Sequence, residues 1–166
     1  MESPLGRLRL AATQRGLVRV ALPSGAGRGF SGWLRSALPD AESAASLPVL
    51  DEAVDELSAY FDGGLREFKF KLDLRGTEFQ QLVWRELMKI PFGATRSYGE
   101  LARALGRDGA QRAVGAANGV NPVPIVVPCH RVIAANGGIG GYSGGLRSKR
   151  LLLAFEQNAA HRDQLL

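Results

Sequence analysis

Two capping boxes, Thr77-Glu78-Phe79-Gln80 and Ser97-Tyr98-Gly99-Glu100, start helices twenty residues apart. In such a box the hydroxyl accepts from the backbone N–H three residues on, and the acid or amide reaches back to the cap N–H. The first box predicts a helix through about Ile90, ended by Pro91-Phe92-Gly93. The second predicts a short helix from Tyr98 to Leu105, stopped at Gly106. After a brief turn, Ala110 to Asn118 forms a third helix. Short helices across a three- or four-residue turn are the shape of a helix-turn-helix, and equally of an ordinary helical hairpin. Ile125 to Val127 then leads into Pro128-Cys129-His130. Ile133 to Tyr142 reads as a β-hairpin around Asn136-Gly137, and a last helix runs from about Leu146 to Asn158.

The first half is patterned differently. Leu5 to Ala12 and Gly16 to Leu22 alternate and predict a hairpin, followed by a Gly-rich loop from Pro23 to Gly29 and a short helix from Phe30 to Leu38. Pro48 to Phe61 is a stronger helix, with Leu50, Val54, Leu57 and Phe61 on one face and Gly63-Gly64 as its stop. Phe68 to Leu72 alternates as a strand. This half is a small α/β domain without an evident catalytic group.

Charge separates the halves. Residues 1–72 hold 9 Lys/Arg and 9 Asp/Glu, whereas residues 73–166 hold 12 and 7, the whole net charge of +5. A basic second half points to a polyanion as its partner, although small basic proteins without such a partner share this charge. Met1-Glu2-Ser3-Pro4 does not open as a signal peptide, and the longest apolar stretches, such as Val123 to Val127, fall far short of the ~18 residues of a span. The expectation is a soluble, cytoplasmic protein. One cysteine and two histidines, His130 and His161, are too few for a structural zinc site of about four ligands.

Cys129 stands between Pro128, which stiffens the turn, and His130. A free thiol is only a few per cent thiolate at neutral pH, so a nucleophilic cysteine needs a base or a cation. His130 can serve, through a water, because adjacent side chains rarely face each other. Glu156 on the last helix is the candidate orienter. A buried structural cysteine is the competing reading. The helix that begins at Arg112 is Arg112-Ala113-Val114-Gly115-Ala116-Ala117-Asn118, and side chains so small cannot read bases by bidentate bonds. It can press its backbone against DNA of any sequence, or pack closely in a core. The Gly137–Gly145 run lacks a P-loop's Lys-Ser/Thr and suits close approach to a flat ligand, or a flexible hairpin tip.

Taken together, Arg112-Ala113-Val114-Gly115, Asn121-Pro122-Val123-Pro124, Pro128-Cys129-His130-Arg131-Val132, Tyr142-Ser143-Gly144-Gly145 and Glu156 resemble the 6-O-alkylguanine-DNA alkyltransferase family. Ser3-Pro4-Leu5-Gly6 and Leu72-Asp73-Leu74-Arg75-Gly76-Thr77 extend the likeness over most of the chain. The resemblance implies an α/β (α+β) chain: a ribonuclease H-like domain over residues 1–75 and a winged-helix DNA-binding domain over residues 76–166. It implies Cys129 as alkyl acceptor, His130 as its base, Glu156 orienting His130, and Asn121 bracing the turn. Tyr98 would hydrogen-bond the flipped guanine and help protonate it as it leaves. Arg112 would fill the gap left by the flipped nucleotide, with Ser97, Ala113, Gly115 and Ala116 against the DNA. Val132, Tyr142, Ser143, Pro124 and Gly144 would line the base and alkyl pocket. The implied partner is double-stranded DNA carrying alkylated guanine, met in the minor groove without regard to sequence, by a monomer using no metal or cofactor. The rivals are a non-catalytic module that binds alkylated bases, a winged-helix regulator with a structural cysteine, and a Cys-His hydrolase.

Overall fold

The computed structural model describes residues 1–23, 29–40 and 47–163. The chain forms two compact units, Met1–Leu74 and Arg75–Leu166, in a mixed α/β architecture.

In the first unit β1 (Arg9–Thr13) and β2 (Gly16–Ala21) pair as an antiparallel hairpin. Helix α1 spans Gly29–Ala37 and α2 spans Pro48–Phe61, with Pro at its start where no N–H is needed. Of the predicted Gly-rich loop, residues 24–28 lie outside the described residues. On α2 the buried line is Ala53, Leu57 and Tyr60, so the predicted apolar face is rotated: Leu50, Val54 and Phe61 flank it. α2 packs on both strands, and Leu17, Val18 and Val20 of β2 are buried, each such side chain contributing roughly 1.5–3 kcal/mol by leaving water. The strand expected from Phe68 to Leu72 shrinks to one parallel bridge, Leu17 with Leu72. Leu17 N donates to Lys71 O at 2.8 Å and Asp73 N donates to Leu17 O at 2.9 Å. Phe68 instead turns to Tyr60 and Phe70 in an aromatic cluster. Gly16 is required where these segments meet, because a Cβ there would stand 2.6 Å from the Lys71 carbonyl carbon.

In the second unit, the two capping boxes form as expected on Thr77/Gln80 and Ser97/Glu100. Helix α3 (Glu78–Leu87) ends three residues before the predicted Ile90, since Pro91 disfavours helical backbone at its predecessor. Helix α4 (Tyr98–Ala104) and α5 (Gln111–Gly119) are joined by residues 105–110, longer than the predicted turn. α5 packs against α3 and α4, and Trp84 Nε1 donates to Ala117 O at 2.9 Å, locking α5 to α3. A 3-10 turn, Cys129–Arg131, follows. The hairpin expected over Ile133 to Tyr142 is absent. β4 (Val132–Ile133) pairs in parallel with β3 (Arg96–Ser97) instead. Asn136-Gly137 does turn, with Ala134 N donating to Gly138 O at 2.8 Å, but the glycines beyond it carry no side chains for cross-strand pairing. Helix α6 (Leu146–Asp163) outruns the predicted Asn158, since no Gly or Pro stops it and Ala159 is buried.

Candidate active site

The segment before the cysteine is closed on itself. Asn121 Nδ2 donates to Val127 O at 2.7 Å and Asn121 Oδ1 accepts from Val123 N at 3.0 Å. Within this loop Ile125 has φ 77, a left-handed conformation that strains a β-branched residue. The surrounding bonds and the buried Val123, Ile125 and Val127 side chains hold it there. Cys129 N then donates to Val127 O at 2.8 Å and Arg131 N to Pro128 O at 2.9 Å, tightening the turn. Asn118 Nδ2 on α5 donates to Cys129 O at 3.4 Å, so the α5 end and the cysteine backbone touch.

Cys129 is a free, buried thiol. Burial pushes it above the ordinary thiol value, while hydrogen bonds from Asn121 and Tyr142 and the charge of Lys149 pull it down. His130 is fully buried, and burial drives its imidazole down; Glu156 opposes this, whereas Arg131 and Lys149 add to it. At rest the proton therefore sits on sulfur, and the pair is thiol and neutral imidazole. His130 Nε2 lies 2.9 Å from Glu156 Oε1. Burial alone would push Glu156 up, but its bonds to His130 and Arg131 hold it well below the carboxylate range. An ionised carboxylate can only accept, so Nε2 carries the proton and Nδ1 the lone pair. Nδ1 is buried with no hydrogen-bond partner among the described residues.

Tyr98 opens α4 and is half-buried. Its hydroxyl is raised by burial and by the nearby Cys129. Gly115 on α5 and Gly140 flank the ring: a Cβ on Gly115 would sit 3.7 Å from it, and one on Gly140 would sit 3.5 Å from the Tyr98 oxygen. The β3–β4 register sets Ser97 opposite Ile133, tying Tyr98 to the chain just past the cysteine turn. Val132, Pro124 and Gly144 are buried, Tyr142 is intermediate and Ser143 exposed. On α5, Arg112, Ala113 and Ala116 form an exposed face, with Gly115 half-covered. Ser97 spends its hydroxyl on the cap, accepting from Glu100 N at 3.2 Å and donating to Glu100 Oε2 at 2.7 Å.

The sequence reading overlooked Lys149. Its ammonium is buried, donating to Val132 O at 2.5 Å and Gly141 O at 3.1 Å. Burial lowers it to about 8, and Cys129 draws it back up. It also missed the part played by Arg131, whose guanidinium is buried against Glu156. The adjacency of Arg131 to His130 was the available signal. Among the described residues no group of three or more His, Cys, Asp or Glu is placed to hold a metal ion, and no helix is long and apolar enough to cross a membrane.

A buried thiol, an imidazole with a free lone pair and an ionised carboxylate are the parts that a cysteine nucleophile of the Cys-His-Glu kind requires, and they stand beside a helical hairpin with an exposed small-residue face. Comparison with known proteins places it further. Residues 1–74 match the family model described as 6-O-methylguanine DNA methyltransferase, ribonuclease-like domain. Residues 78–158 match that described as 6-O-methylguanine DNA methyltransferase, DNA binding domain. The methylated-DNA–protein-cysteine methyltransferase of Mycobacterium tuberculosis H37Rv is 59% identical over 114 residues, 69% of either chain. That of Methanosarcina acetivorans is 44% identical over 155 residues, 93% of this chain and 94% of its own. The crystal structure of Mycobacterium tuberculosis OGT in complex with DNA matches with TM-score 0.82 and 45% identity, covering 96% of this chain and 91% of that one. The chain belongs to the 6-O-methylguanine DNA methyltransferase family. By class it is a methyltransferase of DNA repair with a DNA-binding domain.

Proposed function

We propose that the protein reverses 6-O-alkylguanine damage directly, moving the alkyl group irreversibly to Cys129 after the nucleotide has flipped out of the duplex through the minor groove. The observation that carries this reading is the buried Cys129 beside His130, whose Nε2 is committed to Glu156 and whose Nδ1 is open. His130 takes the thiol proton through a water. Sulfur attacks the alkyl carbon in line, the S–C bond forms as the C–O6 bond breaks, and the electron pair leaves with guanine. Tyr98 donates a proton to the leaving base and regains one from the His130 imidazolium through water, so that the proton lost by the thiol equals the one guanine gains. The ammonium of Lys149 lies near the developing thiolate and favours it.

The product is a thioether, which offers His130 no leaving group to expel, so one molecule repairs one lesion. A raised thiol fits a single-use reagent, because a protonated, buried sulfur resists oxidation until the pocket is engaged. The exposed Arg112, Ala113 and Ala116 face of α5 meets the minor groove without reading sequence, with Gly115 allowing close approach and Ser97 beside a phosphate. Arg112 fills the gap in the stack. Val132, Tyr142, Ser143, Pro124 and Gly144 shape the base and alkyl pocket. The protein acts in the cytoplasm as a monomer, without metal or cofactor. Mixing it with a duplex containing 6-O-methylguanine should add the mass of one methyl group to the intact protein, and none to Cys129→Ala. Binding without a mass change would favour a recognition module instead.

A further inference from the structure

Arg131 is the most heavily engaged cation around the site. Its Nε donates to Glu156 Oε2 at 2.9 Å and its Nη2 to Glu156 Oε1 at 2.8 Å, a bidentate fork. Its Nη1 donates to Ile90 O at 2.6 Å, and its guanidinium lies 5.8 Å from the Phe92 ring centroid. With Gly93 N donating to Oε2 at 3.0 Å and His130 at Oε1, both Glu156 oxygens accept two bonds. The carboxylate has no remaining freedom to rotate or to collect a proton.

We propose that Arg131 is a positioning residue for alkyl transfer, which fixes Glu156 and cancels its negative charge at His130 so that the ring keeps one proton on Nε2 and none on Nδ1. The proposal rests on His130 being the base. The physical reason is electrostatic. A bare carboxylate buried against an imidazole favours the imidazolium, as in the serine-protease triad, where the aspartate stabilises that ion. An imidazolium carries a proton on Nδ1 and cannot deprotonate Cys129. The charged groups acting on His130 are Glu156 and Lys149 from α6 and Arg131 beside it, with the neutral Cys129 thiol adjoining. Arg131 turns a net neutral surround of Glu156 and Lys149 into a positive one. Its fork also aims Oε1 at Nε2, which sets the tautomer. His130 thereby holds the thiol proton only until it passes through water to the Tyr98 phenolate left by protonation of the leaving guanine.

The test reads His130 directly, by nitrogen-15 spectra of the imidazole against pH, with the exposed His161 as the internal control. In the wild type His130 should stay neutral, with Nε2 protonated and Nδ1 bare, well below the pH at which an ordinary imidazole takes its second proton. In Arg131→Gln it should titrate about one unit or more higher, the size expected when a full charge within a few ångströms is removed. The acid limb of the reaction with free 6-O-benzylguanine should move with it. Arg131→Lys, which keeps the charge without the fork, should retain the wild-type titration. An unmoved His130 titration in Arg131→Gln, or an equal rate loss at every pH, overturns the proposal and leaves Arg131 a structural tie. Should Arg131→Gln fail to fold, a shift of a unit in Arg131→Lys overturns it, and an unshifted titration supports it. A wild type that shows the titration but accepts no alkyl group sinks the proposed function alone.

Discussion

Asn121 Nδ2 donates to Val127 O across 2.7 Å, spanning six residues to close the loop that delivers Cys129. The same side chain accepts from Val123 N and offers a hydrogen bond to the thiol. Asn121→Ala leaves the buried Val123 N–H unpaired and takes from Val127 O one of its two donors, around the strained Ile125, which should cost about 2–4 kcal/mol. Urea unfolding measures it, and a loss below about 1 kcal/mol contradicts the bracing role. The thiol titration should also rise, since Cys129 loses a donor that favours its anion.

Lys149 gives a pH dependence of defined sign. Its value falls from 10.5 to about 8 on folding, because burial disfavours the ammonium. Between those values the unfolded chain holds more protons than the folded one, so stability rises with pH. Below pH 8 the folded protein bears the full cost of the buried charge. Relative to Lys149→Met, which cannot titrate, the wild type should gain about 2–3 kcal/mol between pH 7 and 10. Parallel stability–pH curves for the two proteins contradict the burial of a charged Lys149.

Arg112 stands exposed at the start of α5, where it can enter the stack only when a duplex is present. Arg112→Ala should slow repair of duplex 6-O-methylguanine by about tenfold to a hundredfold, since unstacking costs a few kcal/mol. Reaction with free 6-O-benzylguanine, which needs no flipping, should change less than about twofold. Equal losses on both substrates contradict the finger role.

The local signals were legible wherever a few adjacent residues decide the outcome. Thr77/Gln80 and Ser97/Glu100 announce their helices because a cap satisfies its own backbone groups. Cys129, His130 and Glu156 could be assembled from residue chemistry, and the His130–Glu156 contact is there. What failed depends on distant partners. Val132-Ile133 pairs with Arg96-Ser97, and two-residue strands have no period to detect. Phe68 to Leu72 alternates as a strand should, yet only Leu72 finds a partner. Lys149 reads as one of several surface cations in Arg147-Ser148-Lys149-Arg150. Arg147 and Arg150 are indeed exposed, while the intervening lysine turns inward to two carbonyls that only tertiary structure supplies.

On the proposed function, Cys129 accepts one alkyl group and keeps it. Titrating the protein with excess duplex bearing isotopically labelled 6-O-methylguanine, then mapping the label by peptide mass, tests this most directly. Label should plateau at one methyl per protein molecule, all on the Cys129 peptide, and remain after prolonged incubation. Transfer that continues past one equivalent, label on another residue, or its release to water would contradict the account.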